Sequence, residues 1–233
     1  MFTKIAIIGT GNIGNWLFNT LQNQSNLSVV LVSSRKIETV PKNFDLYIFA
    51  LKDDVYEDVL QQIPFKMSYA VHTSGSLSQN ILAPFAEQYG VFYPYQTISR
   101  DNLYQNIPIC IEASNHSFEF HLFQWANAIF SVVYKVNEKQ RFSMHMAAVF
   151  ANNFTNAMYG IAYNIFKENN LDWALIFPLL ENTLEKVKNN NPTLVQTGPA
   201  RRGDISIMEK HCNTLKDEEL RNLYRLVSKI IMN

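Results

Sequence analysis

Residues 4–14, with the sequence KIAIIGTGNIG, decide the fold of this chain. Their first half is a short apolar run rich in β-branched side chains, which predicts a buried strand. Gly9, Gly11 and Gly14 follow at the spacing Gly-x-Gly-x-x-Gly, and a helical pattern of apolar residues begins at Trp16. Between a strand and a helix, this glycine spacing is the fingerprint of a dinucleotide-binding turn.

Each glycine of this turn has a physical task. Gly9 allows the tight turn, Gly11 lets the backbone approach a pyrophosphate, and Gly14 lets helix and strand pack closely. The start of the helix then faces the phosphates with unpaired N–H groups and a partial positive charge. The alternative is a glycine-rich turn that holds no ligand. The predicted cofactor-binding residues of the turn are Gly9, Thr10, Gly11, Asn12, Ile13 and Gly14.

The end of the second predicted strand, residues 27–32, favours NADP over NAD. An acidic residue at this position would accept hydrogen bonds from the ribose hydroxyls of NAD. The chain carries Ser33, Ser34 and Arg35 there instead. Arg35 could form a forked contact with a 2′-phosphate while the two serines donate to its oxygens. A solvated basic turn without a ligand is the alternative.

Other candidate residues follow further predicted strands, because ligands of open α/β sheets gather outside the carboxyl ends of the strands. Ala50 and Leu51 end the third strand and are assigned to the cofactor site. His72 and Ser74 follow the fourth strand, where nicotinamide and substrate would meet, although serine hydroxyls can instead cap a following helix. Gln96 follows a later strand and is a candidate for positioning nicotinamide or substrate.

A helix is predicted over residues 79–88, and from Glu138 the pattern is helical to the end of the chain. Apolar residues with a period near 3.6 predict a first helix of roughly 30 residues there. His145, Asn152 and Asn156 lie on one stripe of this helix. A polar stripe either completes an internal hydrogen-bond network or lines a cleft, and the sequence leaves both open.

A rigid turn with the sequence GPARRGD, residues 198–204, lies between two later helices. It could present Arg201 and Arg202 to an anionic substrate or a cofactor phosphate. It could equally be a connector in which Asp204 pairs with one arginine and caps the next helix.

The composition of the whole chain excludes several classes of protein. Acidic and basic residues balance at 20 each, so the charge does not point to nucleic acid or an anionic membrane. No apolar run approaches the ~20 residues of a membrane span, and the early first strand leaves no room for a signal peptide. Cys110 and Cys212 belong to no metal-spacing motif. We therefore expect no metal, and reduced thiols in a cytoplasmic protein.

Five motifs in this order resemble a known family, in which a Rossmann-like NADP-binding domain precedes a helical domain of the DUF2520 type. Proteins of this family are often labelled NADP oxidoreductases. The motifs are residues 9–14, HTSGS (72–76), YPYQT (93–97), AAVFAN (147–152) and GPARRGD (198–204). More distantly, the chain is similar to the 6-phosphogluconate dehydrogenase-like superfamily, which includes pyrroline-5-carboxylate reductase. This wider resemblance implies a homodimer formed through the helical domains, with the active site between domains.

One departure from the wider pattern affects the expected chemistry. The β-hydroxyacid dehydrogenases place a catalytic lysine one turn before an asparagine of the long helix. This chain has Asn152 but carries Ala148 and Val149 where the lysine would fall. A general acid must then come from elsewhere, and His145 and His72 are the candidates, since imidazole titrates near neutral pH.

These predictions combine into an α/β protein. Residues 1–137 are expected to form an NADP-binding Rossmann-type parallel sheet, and residues 138–233 an all-helical domain for substrate binding and dimerisation. The predicted function is an NADP-dependent oxidoreductase acting on a small carbonyl, hydroxy or imine compound, with His145 and Asn152 polarising the reacting oxygen. The alternative is a non-catalytic NADP-binding protein that senses redox state or binds a partner, which the absent lysine keeps open.

Overall fold

The first half of the chain forms a mainly parallel β-sheet. The structure is a computed structural model that describes residues 2–99 and 106–233. The strands are β1 (Lys4–Ile8), β2 (Ser28–Val32), β3 (Leu46–Phe49), β4 (Met67–His72), β5 (Ala86–Pro94), β6 (Ile109–Ala113) and β7 (Val133–Lys135). Their order in the sheet is β2-β1-β3-β4-β5-β6-β7. Every neighbouring pair is parallel except β5 with β6, which is antiparallel.

Helices cover both faces of this sheet. They are α1 (Asn12–Leu21), α2 (Tyr56–Gln61) and α3 (His116–Asn127). Successive side chains of a strand point to opposite faces. Ile5 and Ile7 of β1 therefore pack in one core with residues of α1 and α3, whereas Ala6 and Ile8 pack in a second core with residues of α2. Because β1, β3 and β4 are parallel neighbours, their carboxyl ends meet at one edge of the sheet.

The chain is helical from Glu138, as its sequence predicts. Helix α4 (Glu138–Ala148), a π-helical segment (Val149–Phe154) and α5 (Thr155–Glu168) follow one another without a break. The remaining helices are α6 (Phe177–Asn189), α7 (Pro199–Arg202), α8 (Ile205–Thr214) and α9 (Glu218–Met232). The predicted fold class, a Rossmann-type parallel sheet followed by helices, is confirmed.

Helix α4 begins at Glu138, where the helical pattern of the sequence begins, because Asn137 caps it. The Asn137 side chain accepts a hydrogen bond from the Gln140 backbone N–H (2.9 Å). The Gln140 side chain in turn accepts one from the Asn137 backbone N–H (3.0 Å). This capping box satisfies two N–H groups that have no partner inside the helix.

The contacts within the chain divide it into a first unit (Met1–Asn156) and a second unit (Ala157–Asn233). The domain boundary predicted after residue 137 marks the start of the helical run and stays a prediction. Helix α4 groups with the sheet because its side chains bond to it. Arg141 of α4, for example, pairs with Glu112 of β6.

The helix predicted over residues 79–88 is wrong. Gln79–Leu82 form a short 3₁₀ turn, and β5 begins at Ala86. Pro84 accounts for the interruption, because proline has no N–H and its ring clashes with the preceding turn of a helix. From Ala86 onward the backbone pairs with β4 in parallel register.

The second unit buries few of its side chains. Ala200, Met208 and Cys212 are its only buried residues. Large apolar side chains on its helices are exposed instead, including Leu175 (68% exposed) and Ile230 (67% exposed). Across both described ranges, no helix is long and apolar enough to span a membrane.

Candidate active site

Close packing requires two glycines of the first turn. Gly9 has a φ of +119°, and a Cβ atom there would lie 2.1 Å from the carbonyl oxygen of Ala50. A Cβ atom at Gly14 would lie 1.8 Å from the carbonyl oxygen of Gly9. Only glycine fits at these positions, and the start of α1 can therefore approach the ends of β1 and β3.

Gly11 lies in open space instead, since a Cβ atom there would have no other atom within 4 Å. It is the N-cap of α1, where no side chain caps the helix and the first turn carries no acidic residue. Asn15 holds the turn by donating to the carbonyl oxygens of Thr10 (2.6 Å) and Gly11 (2.9 Å). Thr10, Gly11 and Asn12 are exposed. Free N–H groups and this open space fit the pyrophosphate of a dinucleotide.

The end of β2 lies beside the glycine turn, because the Gly9 backbone N–H donates to the carbonyl oxygen of Val32 (2.8 Å). Ser33 starts a 3₁₀ turn, and its hydroxyl accepts a hydrogen bond from the Arg35 backbone N–H (3.3 Å). Ser34 is half-buried and Arg35 is exposed. Within residues 2–99 and 106–233, the Arg35 guanidinium has no ion-pair partner. It is therefore free to bind a phosphate.

A cavity of about 470 Å³ in the first unit lies between the glycine turn and the predicted catalytic residues. Six predicted residues line it: Ile13, Leu51, Ser74, Gln96, His145 and Asn152. His145 and Asn152 of the polar stripe therefore line a cleft, which is one of the two alternatives that the sequence left open. Asn156 is not among the lining residues, because the π-helical segment changes the register of the stripe.

Asn152 belongs to this π-helical segment, and its side-chain amide donates to the Thr97 hydroxyl oxygen (2.6 Å). A second link runs from the Tyr95 hydroxyl, which donates to the Met144 carbonyl oxygen (3.0 Å). Thr97 and Tyr95 follow β5, so both bonds hold the helical run against the end of that strand. The cavity wall between these elements is consequently fixed on two sides.

Ser74 is engaged mainly by its own loop. Its hydroxyl oxygen accepts hydrogen bonds from the backbone N–H groups of Ser76 (3.1 Å) and Leu77 (3.0 Å). The Ser76 hydroxyl donates to the carboxylate of Asp53, which also lines the cavity. Ser74 does not cap the turn that follows, because Ser78 is its N-cap and accepts a hydrogen bond from the Asn80 backbone N–H. A direct role of Ser74 toward a ligand stays a prediction.

His72 is fully buried and does not line the cavity. Its Nδ1 accepts a hydrogen bond from the Ser74 backbone N–H (3.2 Å), and its Nε2 lies 3.3 Å from the Ser78 carbonyl oxygen. Burial, together with the charge of Arg141, lowers the pKa of His72 to about 4. A neutral imidazole then donates from Nε2 to Ser78. This geometry gives His72 the task of holding the loop and does not support it as an acid.

A buried ion pair fixes the same loop from α4. Arg141 is fully buried; its Nε and Nη2 donate to Glu112 Oε2 (3.3 and 3.2 Å), and its Nη1 donates to the Ser74 carbonyl oxygen (3.2 Å). Burial raises the pKa of Glu112, although Arg141 acts in the opposite direction. Sequence reasoning missed this pair. The available signal was a carboxylate directly after the apolar run 109–111, since a buried charge needs a partner.

His145 completes the cavity wall. Its Nδ1 lies 3.2 Å from the hydroxyl oxygen of Tyr93, the second-to-last residue of β5. Its Nε2 has no hydrogen-bond partner among the residues that the structure describes. His145 Nε2 is therefore available for the contact with a substrate that the sequence predicts.

Arg201 and Arg202 lie in α7 of the second unit. Arg202 Nη2 lies 2.8 Å from Asp204 Oδ2. The ion pair expected if this turn is a connector is therefore present. Asp204 makes no side-chain cap to α8. Arg201 is exposed, without an ion-pair partner in the described ranges. Anion binding by either arginine stays a prediction.

Metal chemistry has no evident site in the described part of the chain. Its His, Cys, Asp and Glu residues form no group of three or more that could hold a metal ion. The candidate site is therefore built from the glycine turn, the strand ends and α4 with its π-helical segment.

Comparison with known proteins identifies the family. The model of DUF2520, a domain of unknown function, matches residues 107–231. The crystal structure of a "putative NADP oxidoreductase" from Bacteroides fragilis is 32% identical in sequence, with a TM-score of 0.90, over 99% of this chain and 98% of that chain. The chain belongs to the DUF2520 family. The resemblance drawn from the five sequence motifs is confirmed.

Two more distant structures share the fold of this DUF2520 protein. A protein from Thermotoga maritima is 20% identical, with a TM-score of 0.72, over 97% of this chain and 96% of that chain. The pyrroline carboxylate reductase of Plasmodium falciparum, solved with NADP bound, is 15% identical, with a TM-score of 0.55, over 99% of this chain and 98% of that chain. No curated protein is significantly similar to the DUF2520 chain.

Proposed function

We propose that this protein is an oxidoreductase that transfers a hydride between a nicotinamide dinucleotide, preferably NADP, and a small carbonyl, hydroxy or imine compound. The observation that carries this proposal is that Ile13 of the glycine turn lines the same cavity as His145 and Asn152. When bound, the nicotinamide supplies or accepts the hydride. Binding, orientation and proton handling belong to the residues of this chain.

Dinucleotide binding is assigned to the glycine turn and the ends of β2 and β3. The N–H groups at the start of α1 bind the pyrophosphate, and Gly11 leaves the space for it to approach. Arg35 binds the 2′-phosphate through charge-assisted hydrogen bonds, with Ser33 and Ser34 beside it, which favours NADP. Leu51 then forms part of the cavity wall.

Proton handling is assigned to His145. In the direction of reduction, the N–H of its neutral ring donates a hydrogen bond to the oxygen that becomes a hydroxyl, and the proton that this oxygen takes from the ring is replaced from water. Asn152 provides a second polar contact from a position that its bond to Thr97 fixes. Gln96, exposed at the cavity, orients the substrate. General acid–base catalysis of this kind contributes typically ~10²–10⁴-fold to a rate.

The family supports the same assignment. The relative from Bacteroides fragilis carries the name of an NADP oxidoreductase, and it is similar to this chain over nearly the full length of both. A nicotinamide cofactor and a small-molecule substrate are consistent with that name.

We also propose that the protein is a homodimer formed through its helices. Apolar side chains of the helical run and of α6 are exposed, including Phe150 (64%) and Leu179 (62%). Single scattered apolar residues are normal at a surface, but contiguous apolar faces mark interfaces. Light scattering at micromolar concentration should give twice the mass of the chain, and the mass of one chain would refute the dimer.

Fluorescence titration with NADPH and NADH tests the proposed function directly. Gly11→Ala places a methyl group where the pyrophosphate approaches, so it should weaken NADPH binding by about 10- to 100-fold, the loss of one or two charge-assisted hydrogen bonds. It should leave the melting temperature nearly unchanged, because alanine readily adopts φ −72° and ψ −175°. Gly14→Ala is the contrasting variant, and it should lower the stability because of its contact with Gly9.

A screen of small carbonyl compounds with NADPH then tests catalysis. Turnover of any of them supports the oxidoreductase. Tight NADPH binding without turnover would favour the non-catalytic alternative, and failure to bind either dinucleotide would overturn the proposal.

A further inference from the structure

Tyr93, Gly75 and His145 form one packed contact at the cavity wall. The Tyr93 hydroxyl oxygen lies 3.2 Å from His145 Nδ1, and the two rings meet edge to face with centroids 6.2 Å apart. A Cβ atom at Gly75 would lie 2.7 Å from His145 Nδ1 and 3.0 Å from Tyr93 Cζ. The absence of a side chain at Gly75 therefore allows the other two residues to meet.

Burial and the lack of another acceptor favour the Tyr93 hydroxyl as the donor in this hydrogen bond. Burial raises the pKa of Tyr93 to about 12, with Tyr95 and Cys110 acting in the same direction and Arg141 in the opposite one. The phenol consequently keeps its proton near neutral pH. Tyr93 is only 9% exposed, and His145 Nδ1 is the single acceptor for its proton among residues 2–99 and 106–233. If the imidazole donated instead, a nearly buried O–H group would lose its partner, which is unfavourable.

We propose that Tyr93 is a positioning residue that fixes the tautomer of His145, so that the neutral imidazole carries its proton on Nε2. A neutral imidazole has one N–H and one lone pair, and the hydrogen bond at one nitrogen decides the state of the other. Because Nδ1 accepts from Tyr93, Nε2–H remains as a donor.

The tautomer decides what His145 can do for a substrate. This step rests on the proposed function, in which His145 contacts the reacting oxygen. With its proton on Nε2, the ring donates to that oxygen and stabilises the charge that develops on it during reduction. The other tautomer would direct a lone pair toward the same oxygen and would repel it. Tyr93 thus acts through His145.

The surroundings prevent the two rings from separating. Arg141 lies one helical turn before His145, is fully buried, and bonds Glu112 and the Ser74 carbonyl oxygen. Tyr95 bonds the backbone of Met144, the residue directly before His145. Both contacts lie before His145 in the chain, and the bond from Asn152 to Thr97 holds the helical run after it.

Nitrogen chemical shifts of His145, measured by ¹⁵N NMR in the full-length protein without cofactor, test the tautomer. At about pH 8.5, where free histidine is neutral, the wild type should show a protonated Nε2 and an unprotonated Nδ1. Tyr93→Phe removes only the hydroxyl and should raise the ratio of the Nδ1–H to the Nε2–H form by roughly five-fold, the effect of one ordinary hydrogen bond.

Two further variants make the test specific. Tyr95→Phe removes a neighbouring hydroxyl that bonds Met144 and not His145, so it should leave the His145 shifts in the wild-type pattern. Gly75→Ala keeps both rings but pushes the imidazole away from Tyr93, so it should change the tautomer ratio in the same direction as Tyr93→Phe. This variant also serves if Tyr93→Phe does not fold.

The outcomes separate this proposal from the proposed function. A wild-type His145 protonated on Nδ1, or a ratio that neither Tyr93→Phe nor Gly75→Ala changes, would overturn the role of Tyr93 even if NADPH binds and turns over. Conversely, the tautomer can behave as expected in a protein that binds no dinucleotide, and only the proposed function then fails. With a substrate in hand, Tyr93→Phe should lower kcat while leaving the NADPH Kd unchanged.

Discussion

Replacing Arg141 with methionine should destabilise the protein strongly, because it removes one half of a buried ion pair. Arg141 makes three hydrogen bonds, two to Glu112 and one to the Ser74 carbonyl oxygen. The Arg141 side chain is 0% exposed and the Glu112 side chain 10% exposed, so water cannot replace these bonds. Leaving one buried charge unpaired costs about 3–5 kcal/mol. For a chain of this length, that corresponds to a fall in melting temperature of about 6–20 °C.

Thermal unfolding followed by circular dichroism measures this effect. The matched control is Arg202→Met, which breaks the exposed ion pair with Asp204 and should cost at most ~1 kcal/mol. The double variant Arg141→Met with Glu112→Leu removes both charges and should recover part of the loss. An Arg141→Met protein that melts as close to the wild type as Arg202→Met does would refute the reasoning.

The pH dependence of the same variant gives a second check. Burial already raises the pKa of Glu112, and Arg141 opposes that increase. Without Arg141 the folded protein prefers a protonated Glu112 still more. The variant should therefore lose less stability at acidic pH, where the carboxyl is neutral, and more as the pH rises. An equal loss at all pH values would contradict this account.

Three further predictions follow from the site. Arg35→Ala should weaken NADPH binding by about 1.5–3 kcal/mol and leave NADH binding nearly unchanged in fluorescence titrations; equal losses for both would remove the 2′-phosphate assignment. His145→Ala should lower turnover by ~10²–10⁴-fold without changing NADPH affinity, whereas a lower melting temperature with intact activity would indicate a structural role only. Burial lowers the pKa of His72 to about 4 in the folded protein, from an ordinary value of 6.5. The unfolded chain therefore binds the proton first, and stability should fall by about 3 kcal/mol as the pH decreases from 6.5 to 4. Chemical denaturation of His72→Gln should lack this slope, and an unchanged slope would argue against the buried neutral imidazole.

The parts of the structure that the sequence predicts correctly are those determined by residues close together in the sequence. The strand before Gly9, the helix after Gly14 and the start of α4 at Glu138 follow from local patterns and caps. The helix predicted over residues 79–88 is wrong because Pro84 ends the short turn and the chain then pairs with β4, a partner that lies outside this stretch of sequence. The π-helical segment was not predicted, since apolar residues with a period near 3.6 give no sign of a wider turn.

The contacts that build the cavity wall are not visible in the sequence. Glu112 and Arg141 are 29 residues apart, and Tyr93 and His145 are 52 residues apart. Each pair joins a strand to α4, so only the packed structure brings its members together. Residue types identified His145 and Asn152 as candidates, but the partners that orient them depend on tertiary packing.

The scarcity of buried residues in the second unit has a consequence for the kinetics of folding. The first unit has two apolar cores of its own and can fold in a step whose rate is independent of concentration. The second unit, with Ala200, Met208 and Cys212 as its only buried residues, cannot offset the loss of chain entropy by itself. In the proposed homodimer, its folding should be completed when its apolar faces are covered by the second copy of the chain. Refolding should then contain a slow phase that becomes faster as the protein concentration increases.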